Sequence, residues 1–166
     1  MTVVHSQVQI DAPVDEVWRT LADLGSIDKW NPGVAKSYTT SEATQGEGAT
    51  RHCDLQSGNA QLDNAQLEER AFDWREGEGF KIDVYKSSLP LTRNIISFEV
   101  EPSGDGTLAK VTADYQLKYG PIGGLIDILI GRRQSQQSFD ELLAGLKYHV
   151  ETGELVQDQV PAAATA

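Results

Sequence analysis

The stretch that decides the fold runs from Pro121 to Gly153 and reads PIGGLIDILIGRRQSQQSFDELLAGLKYHVETG. Leu125, Leu129, Gln136, Phe139, Leu143, Leu146 and Val150 fall within one narrow arc at about 100° per residue. The spacing predicts a single apolar stripe on a helix of about seven turns or more. Pro121 suits the first turn of such a helix, and Gly153 suits its end.

Upstream of that helix the periodicity is different. From about Val34 to Lys118, short runs of β-branched and aromatic residues alternate with breaks rich in Gly, Asp and Pro. They predict strands at 33–40, 48–56, 60–74, 79–87, 93–101 and 108–119. Gly77-Glu78-Gly79 and Ser103-Gly104-Asp105-Gly106 read as hairpin turns. Val4, Val8 and Ile10 alternate along an earlier strand, which Asp11-Ala12-Pro13 ends. Val14, Val17, Trp18, Leu21 and Leu24 then recur at helical spacing, with Asp15 and Glu16 at the positive end of the helix dipole. Ser26 can cap a second short helix through Ile27 and Trp30, closed by Asn31-Pro32.

The expected class is therefore α+β: a seven-stranded curved antiparallel sheet wrapped around one long C-terminal helix, with two short helices after the first strand. A strongly curved sheet held off from a single helix leaves a space between them, and such spaces commonly bind small ligands. One domain is expected over 1–153, with a disordered tail over 154–166 that has no periodicity. With 166 residues, one core can form without disulfides or metals.

Charge removes several functions. There are 25 acidic and 14 basic side chains, for a formal net charge of −11. Such a surface repels a phosphate backbone, and Arg132-Arg133, the only close basic cluster, does not make a groove. Nucleic acid is not an expected partner, and anionic membrane surfaces are disfavoured for the same reason. The single cysteine, Cys53, allows no intrachain disulfide, which suits a reducing cytoplasm. The first residues enter an alternating pattern without a basic and apolar leader, and Ile122–Ile130 is too short to span a bilayer. A soluble cytoplasmic protein without stable membrane insertion is the expectation.

Three segments carry a resemblance to a known family. They are Ile10-Asp11-Ala12-Pro13-Val14-Asp15-Glu16-Val17-Trp18 with Trp30-Asn31-Pro32, then Glu69-Arg70-Ala71-Phe72-Asp73-Trp74, then Tyr119-Gly120-Pro121-Ile122-Gly123-Gly124-Leu125 with Leu142 to Thr152. Their order and spacing resemble the helix-grip fold of the START/Bet v 1-like (SRPBCC) superfamily, and within it the polyketide cyclase/dehydrase and lipid-transport family. The resemblance implies a hydrophobic small-molecule ligand, such as a lipid, isoprenoid or aromatic polyketide, and no cofactor. It leaves open a carrier, a cofactor-free cyclase/dehydratase that uses polar pocket residues, and a protein-interaction module.

Several side chains are candidates for the cavity. Arg132 and Gln136 share the arc of Leu129 and Phe139: either they meet a polar group of the ligand, or Arg132 reaches the rim with its stem on apolar surface. On strand 60–74, alternation sets Arg70, Phe72 and Trp74 on one side and Leu67, Glu69 and Ala71 on the other. An inward Arg70 could polarise a carbonyl, and an inward Glu69 could act as a general base; either could instead pair with a charge on the outer face. Ile82 with Val84, Phe98, and Tyr115 form inward rows, Cys53 reads as a small buried residue beside the cavity, and Trp30 could close one end of it. A metal site is not expected. His5, His52 and His149 are scattered, and adjacent residues in His52-Cys53-Asp54 point to opposite faces.

Overall fold

The computed structural model describes residues 1–56, 63–118 and 131–159. The chain begins with strand β1 (Thr2–Ile10), helix α1 (Val14–Ala22) and a 3-10 helix (Leu24–Lys29). Strands β2 (Val34–Thr39), β3 (Thr50–Leu55), β4 (Gln66–Arg75), β5 (Gly79–Ser87), β6 (Leu91–Ser103) and β7 (Gly106–Leu117) follow. Helix α2 (Arg132–Thr152) and a second 3-10 helix (Val156–Gln159) complete the described chain. The strands make one antiparallel sheet in the order β1-β7-β6-β5-β4-β3-β2, so the first strand closes beside the last and β2 forms the far edge. Strand alternation and the stripe of the last helix predict this antiparallel sheet with its C-terminal helix, and the arrangement is the helix-grip architecture that the resemblance implies. The first turns of the expected helix, with Leu125 and Leu129, lie outside the described residues.

One continuous core joins the layers. From α1 come Val17, Trp18 and Leu21; from the first 3-10 helix and its end, Leu24, Ile27 and Trp30. The concave face of the sheet supplies Cys53, Leu67, Ala71, Phe80, Ile82 and Phe98, and α2 supplies Leu142, Leu143, Leu146 and Val150. The buried residues of α2 all lie in its C-terminal half. There Gly145 allows a close approach: a Cβ at that position would stand 2.1 Å from the carbonyl oxygen of Trp30.

The two open edges of the sheet are covered by polar side chains, which deal with backbone groups that would otherwise invite pairing with another chain. Along β1, Gln136 Nε2 donates to the His5 carbonyl at 2.8 Å and Lys147 Nζ to the Gln9 carbonyl at 2.9 Å. Between them the Ser6 hydroxyl donates to Asp140 Oδ1 at 2.5 Å. At the far edge Gln157 Nε2 donates to the Val34 carbonyl at 2.7 Å, and its Oε1 accepts from Gln56 Nε2.

That last contact corrects the expected disordered tail. Within that stretch Val156 is buried, and Gln157 Nε2 donates to the carbonyls of Val34 in β2 and Asp28 in the first 3-10 helix. Four residues are too few to show a period, so the sequence pattern could not reveal the docking. Residues 160–166 lie outside the described residues. Among the described residues, no helix is long and apolar enough to cross a membrane.

Candidate functional site

Antiparallel pairing puts partner residues on the same face, so register builds the concave wall row by row. One row is apolar: Val4 pairs with Ala113, Ala113 with Ile96, Ile96 with Ile82, and Ile82 with Ala71. Ala113, Ile82 and Ala71 are fully buried, while Ile96, in the centre of the same row, remains half-buried. Phe139, from the less buried half of α2, is likewise half-buried against the core.

The adjacent row is polar. Tyr115 pairs with Asn94, Val84 with Glu69, and Glu69 with Arg51. At one end the Ser135 hydroxyl, from α2, donates to the Tyr115 oxygen at 3.0 Å. At the other, Arg51 Nε donates to Glu69 Oε2 at 2.5 Å and Arg51 Nη1 to the Leu24 carbonyl at 3.1 Å. Both charged side chains are almost wholly buried, at 3% and 4% exposure. Burial alone would lower the pKa of the guanidinium, but the Glu69 carboxylate outweighs that and holds it above its ordinary value. The Cys53 thiol lies 3.8 Å from the same carboxylate oxygen. Burial pushes its pKa far up, and the Glu69 charge adds to the shift.

A third group of side chains fills the end of the sheet near α1. Trp18, Trp74, Phe80 and Phe98 pack in sequence, with Trp74 stacked on Phe80 at 4.8 Å between centroids. Trp74 reaches this cluster because Asp73 has φ +50° and the β4–β5 register shifts between Phe72 and Arg75. The bulge turns Trp74 inward although Phe72, two residues earlier, faces outward.

The candidates read from the sequence thus separate. Cys53, Glu69, Trp74, Ile82, Val84, Phe98 and Tyr115 are on the concave side, and Trp30 is in the buried core, with its backbone carbonyl against Gly145 of α2. Arg70 is not inward: it is exposed on the outer face, with its guanidinium 4.7 Å from the centroid of the Tyr85 ring. Phe72 shares that outer face. Glu69 faces inward, but its Oε2 is engaged by Arg51 and the Cys53 thiol, so it is not a free general base. Arg132 is exposed beside Arg133 and Gln137, while Gln136 bonds the β1 edge rather than entering the interior. Leu129 lies outside the described residues. His52 is held on the outer face by Glu68 and Asp54, each on a different ring nitrogen, an arrangement that leaves no shared position for one ion.

Sequence reasoning missed Arg51, Asn94 and Ser135. Arg51 had a usable signal: it stands two residues before the buried Cys53, so a period of two sends both inward. Asn94 and Ser135 carry no such mark, because their place depends on strand pairing and on where α2 docks.

A family model described as polyketide cyclase / dehydrase and lipid transport matches residues 1–151. Solved structures share the fold at low sequence identity. A protein of Thermus thermophilus aligns with TM-score 0.77 and 20% identity, over 92% of this chain and 99% of the other. A START superfamily protein of Mycobacterium smegmatis aligns with TM-score 0.70 and 18% identity, over 90% and 97%. The di-domain ARO/CYC BexL from the BE-7585A biosynthetic pathway aligns with TM-score 0.69 and 22% identity. This chain is covered to 91% there, and spans 47% of that one. None of the curated proteins compared matches the sequence.

Proposed function

Because the chain belongs to the polyketide cyclase/dehydrase and lipid-transport family, we propose that it binds a hydrophobic small molecule between the concave sheet and the C-terminal helix, and acts as a carrier. The observation that carries this reading is Ile96. It is a large apolar side chain on a central strand, flanked in register by the fully buried Ile82 and Ala113, and yet it is half-buried. A fully packed core would cover it. With Phe139 also incompletely covered, the concave wall keeps apolar surface available to a ligand.

A cyclase/dehydratase is the second reading, and the polar row favours it. Tyr115 with Ser135, Asn94, and the Arg51–Glu69 pair line up beside the apolar row, and BexL is itself described as an ARO/CYC. Acid–base chemistry needs two convergent groups free to take or give a proton. Glu69 is committed to Arg51, which makes the carrier the better supported reading.

Native mass spectrometry of the purified protein, followed by organic extraction, tests the proposal. A co-purifying lipid or aromatic species is expected. Ile96→Trp should fill the space and abolish that retention while the fold persists; unchanged retention in this variant overturns the proposal. Arg70→Ala should change nothing, since Arg70 faces outward. Turnover of a linear poly-β-ketone that is lost in Asn94→Ala would move the conclusion to the enzyme.

A further inference from the structure

Trp30 is an exception among the three indoles of this chain. Trp18 Nε1 and Trp74 Nε1 both donate to Glu76, at 3.0 and 2.8 Å. Trp30 is the most buried of the three, at 2% exposure, and its Nε1 has no hydrogen-bond partner among the described residues. A buried N–H without an acceptor costs about 1–3 kcal/mol, and such groups are rare in native proteins. The residue is held firmly in place. Its backbone N–H bonds the Ile27 carbonyl at 3.2 Å, its own carbonyl packs under Gly145 of α2, and its side chain belongs to the buried core cluster.

On the reading that the interior holds a hydrophobic ligand, we propose that Trp30 Nε1 is the polar contact for that ligand, and that the ligand presents a neutral carbonyl oxygen to it. The chemistry of the donor narrows the class. An indole N–H donates and cannot accept. A purely hydrocarbon ligand would leave it unpaired. A carboxylate would be buried against a neutral donor without a free cation to balance it, because the buried guanidinium of Arg51 is already paired with Glu69. A hydroxyl would bring a proton for which Trp30 offers no acceptor. A ketone, ester or quinone oxygen is an acceptor alone and matches the site.

The test compares two probes of similar shape, 2-acetylnaphthalene and 2-isopropenylnaphthalene, in the full chain and in Trp30→Phe. Burying a carbonyl without a partner is costly, so the ratio of ketone to hydrocarbon affinity should fall about tenfold in the variant, equal to 1.4 kcal/mol. In the unsubstituted protein, which does not depend on the variant folding, the ketone should shift the Trp30 indole N–H signal in a 1H–15N spectrum and the hydrocarbon should not. Glu76→Gln identifies the other two indole signals. Both probes binding with an unchanged ratio, or a Trp30 signal indifferent to the ketone, overturns this proposal and leaves the ligand reading standing. A bound water that keeps contact with the Trp30 N–H at ketone saturation overturns it as well. Failure of both probes to bind overturns it together with the reading of the interior as a hydrophobic-ligand site.

Discussion

Trp74 Nε1 donates to Glu76 Oε2 at 2.8 Å, and through the other oxygen of the same carboxylate Trp74 is tied to Trp18, whose Nε1 lies 3.0 Å from Oε1. One exposed carboxylate thus fastens α1 to the β4–β5 turn. Hydrogen bonds from Trp74 and then Trp18 hold its pKa below the ordinary carboxylate value. For a group whose folded pKa is depressed, the stabilisation is present above the unfolded pKa and is lost as pH falls through the lowered folded value. Glu76→Ala should lower Tm at neutral pH by about 2–4 °C, and Glu76→Gln, which keeps one acceptor oxygen, by less. Below the lowered pKa the protonated carboxyl keeps one acceptor oxygen, so the advantage of the native protein over Glu76→Ala should shrink to that of Glu76→Gln. Thermal melts from pH 7 to pH 2, with the two indole signals as reporters, check this. An advantage over Glu76→Ala that is undiminished at the acid end would rule the mechanism out.

The interior pair Arg51–Glu69 makes a sharper prediction. Both partners are desolvated, so removing one leaves the other charged and unpaired. Arg51→Met or Glu69→Leu alone should cost about 3–5 kcal/mol. The double variant Arg51→Met/Glu69→Leu should recover much of that loss, because apolar groups of similar volume often replace a buried pair without penalty. A denaturant double-mutant cycle measures the coupling. Additive single effects would show that the two side chains do not depend on each other.

How far the sequence reveals this molecule depends on the range of the interaction. Alternation and turns are local, and the strands 79–87 and 93–101 fall close to β5 and β6 for that reason. The stripe of α2 is also local, and Leu143, Leu146 and Val150 are buried as it requires. Facing fails where one residue breaks the period: Asp73 at φ +50° separates Phe72 from Trp74, which strict alternation puts together. It fails again at Arg132 and Gln136. They share the arc of the stripe, but Arg132 is exposed and Gln136 turns to the His5 carbonyl on the β1 edge, while Ser135 and Phe139 of the same half face the interior. The Arg51–Glu69 contact needs the β3–β4 register, which no local pattern encodes. The resemblance supplied the fold; pairing and docking decided which polar residues meet inside it.

His52 offers a pH dependence of opposite sign. Hydrogen bonds with Glu68 at 2.5 Å and Asp54 at 3.0 Å raise its pKa above 6.5, burial opposing them. Tyr38 stacks on the ring at 5.1 Å, and Lys36 stands over Tyr38 at 5.6 Å from its ring centroid. Stability from a raised pKa is fully present below the unfolded value and is lost as pH rises through the folded one. Tm should therefore fall between about pH 6.5 and the raised pKa, and the fall should be absent in His52→Asn. Equal pH profiles for the two proteins from pH 6 to 9 would refute the assignment.

Cys53 should be inert in the native state. It is 1% exposed, and the raised pKa leaves almost no thiolate to react at neutral pH. Labelling with a thiol reagent is expected to be slow in buffer and complete in denaturant, at a rate limited by opening of the β3 region. Rapid stoichiometric labelling without denaturant would mean that the concave wall is open at Cys53.

Gly145 tests the seat of the C-terminal helix. In an exposed helix interior, Gly→Ala gains about 1 kcal/mol from backbone entropy. Here the added methyl would stand 2.1 Å from the Trp30 carbonyl oxygen and 3.0 Å from Pro32 Cδ, and the nearer atom is backbone that cannot rotate away. Overpacking of this kind costs about 1–3 kcal/mol, so the clash outweighs the entropy gain. Gly145→Ala should lower Tm, and Gly145→Val should lower it further. Because α2 would be lifted from the end of the first 3-10 helix, the Trp30 indole signal should shift while those of Trp18 and Trp74, fixed by Glu76, stay in place. A rise in Tm for Gly145→Ala would mean that α2 does not press on Trp30 as the structure has it.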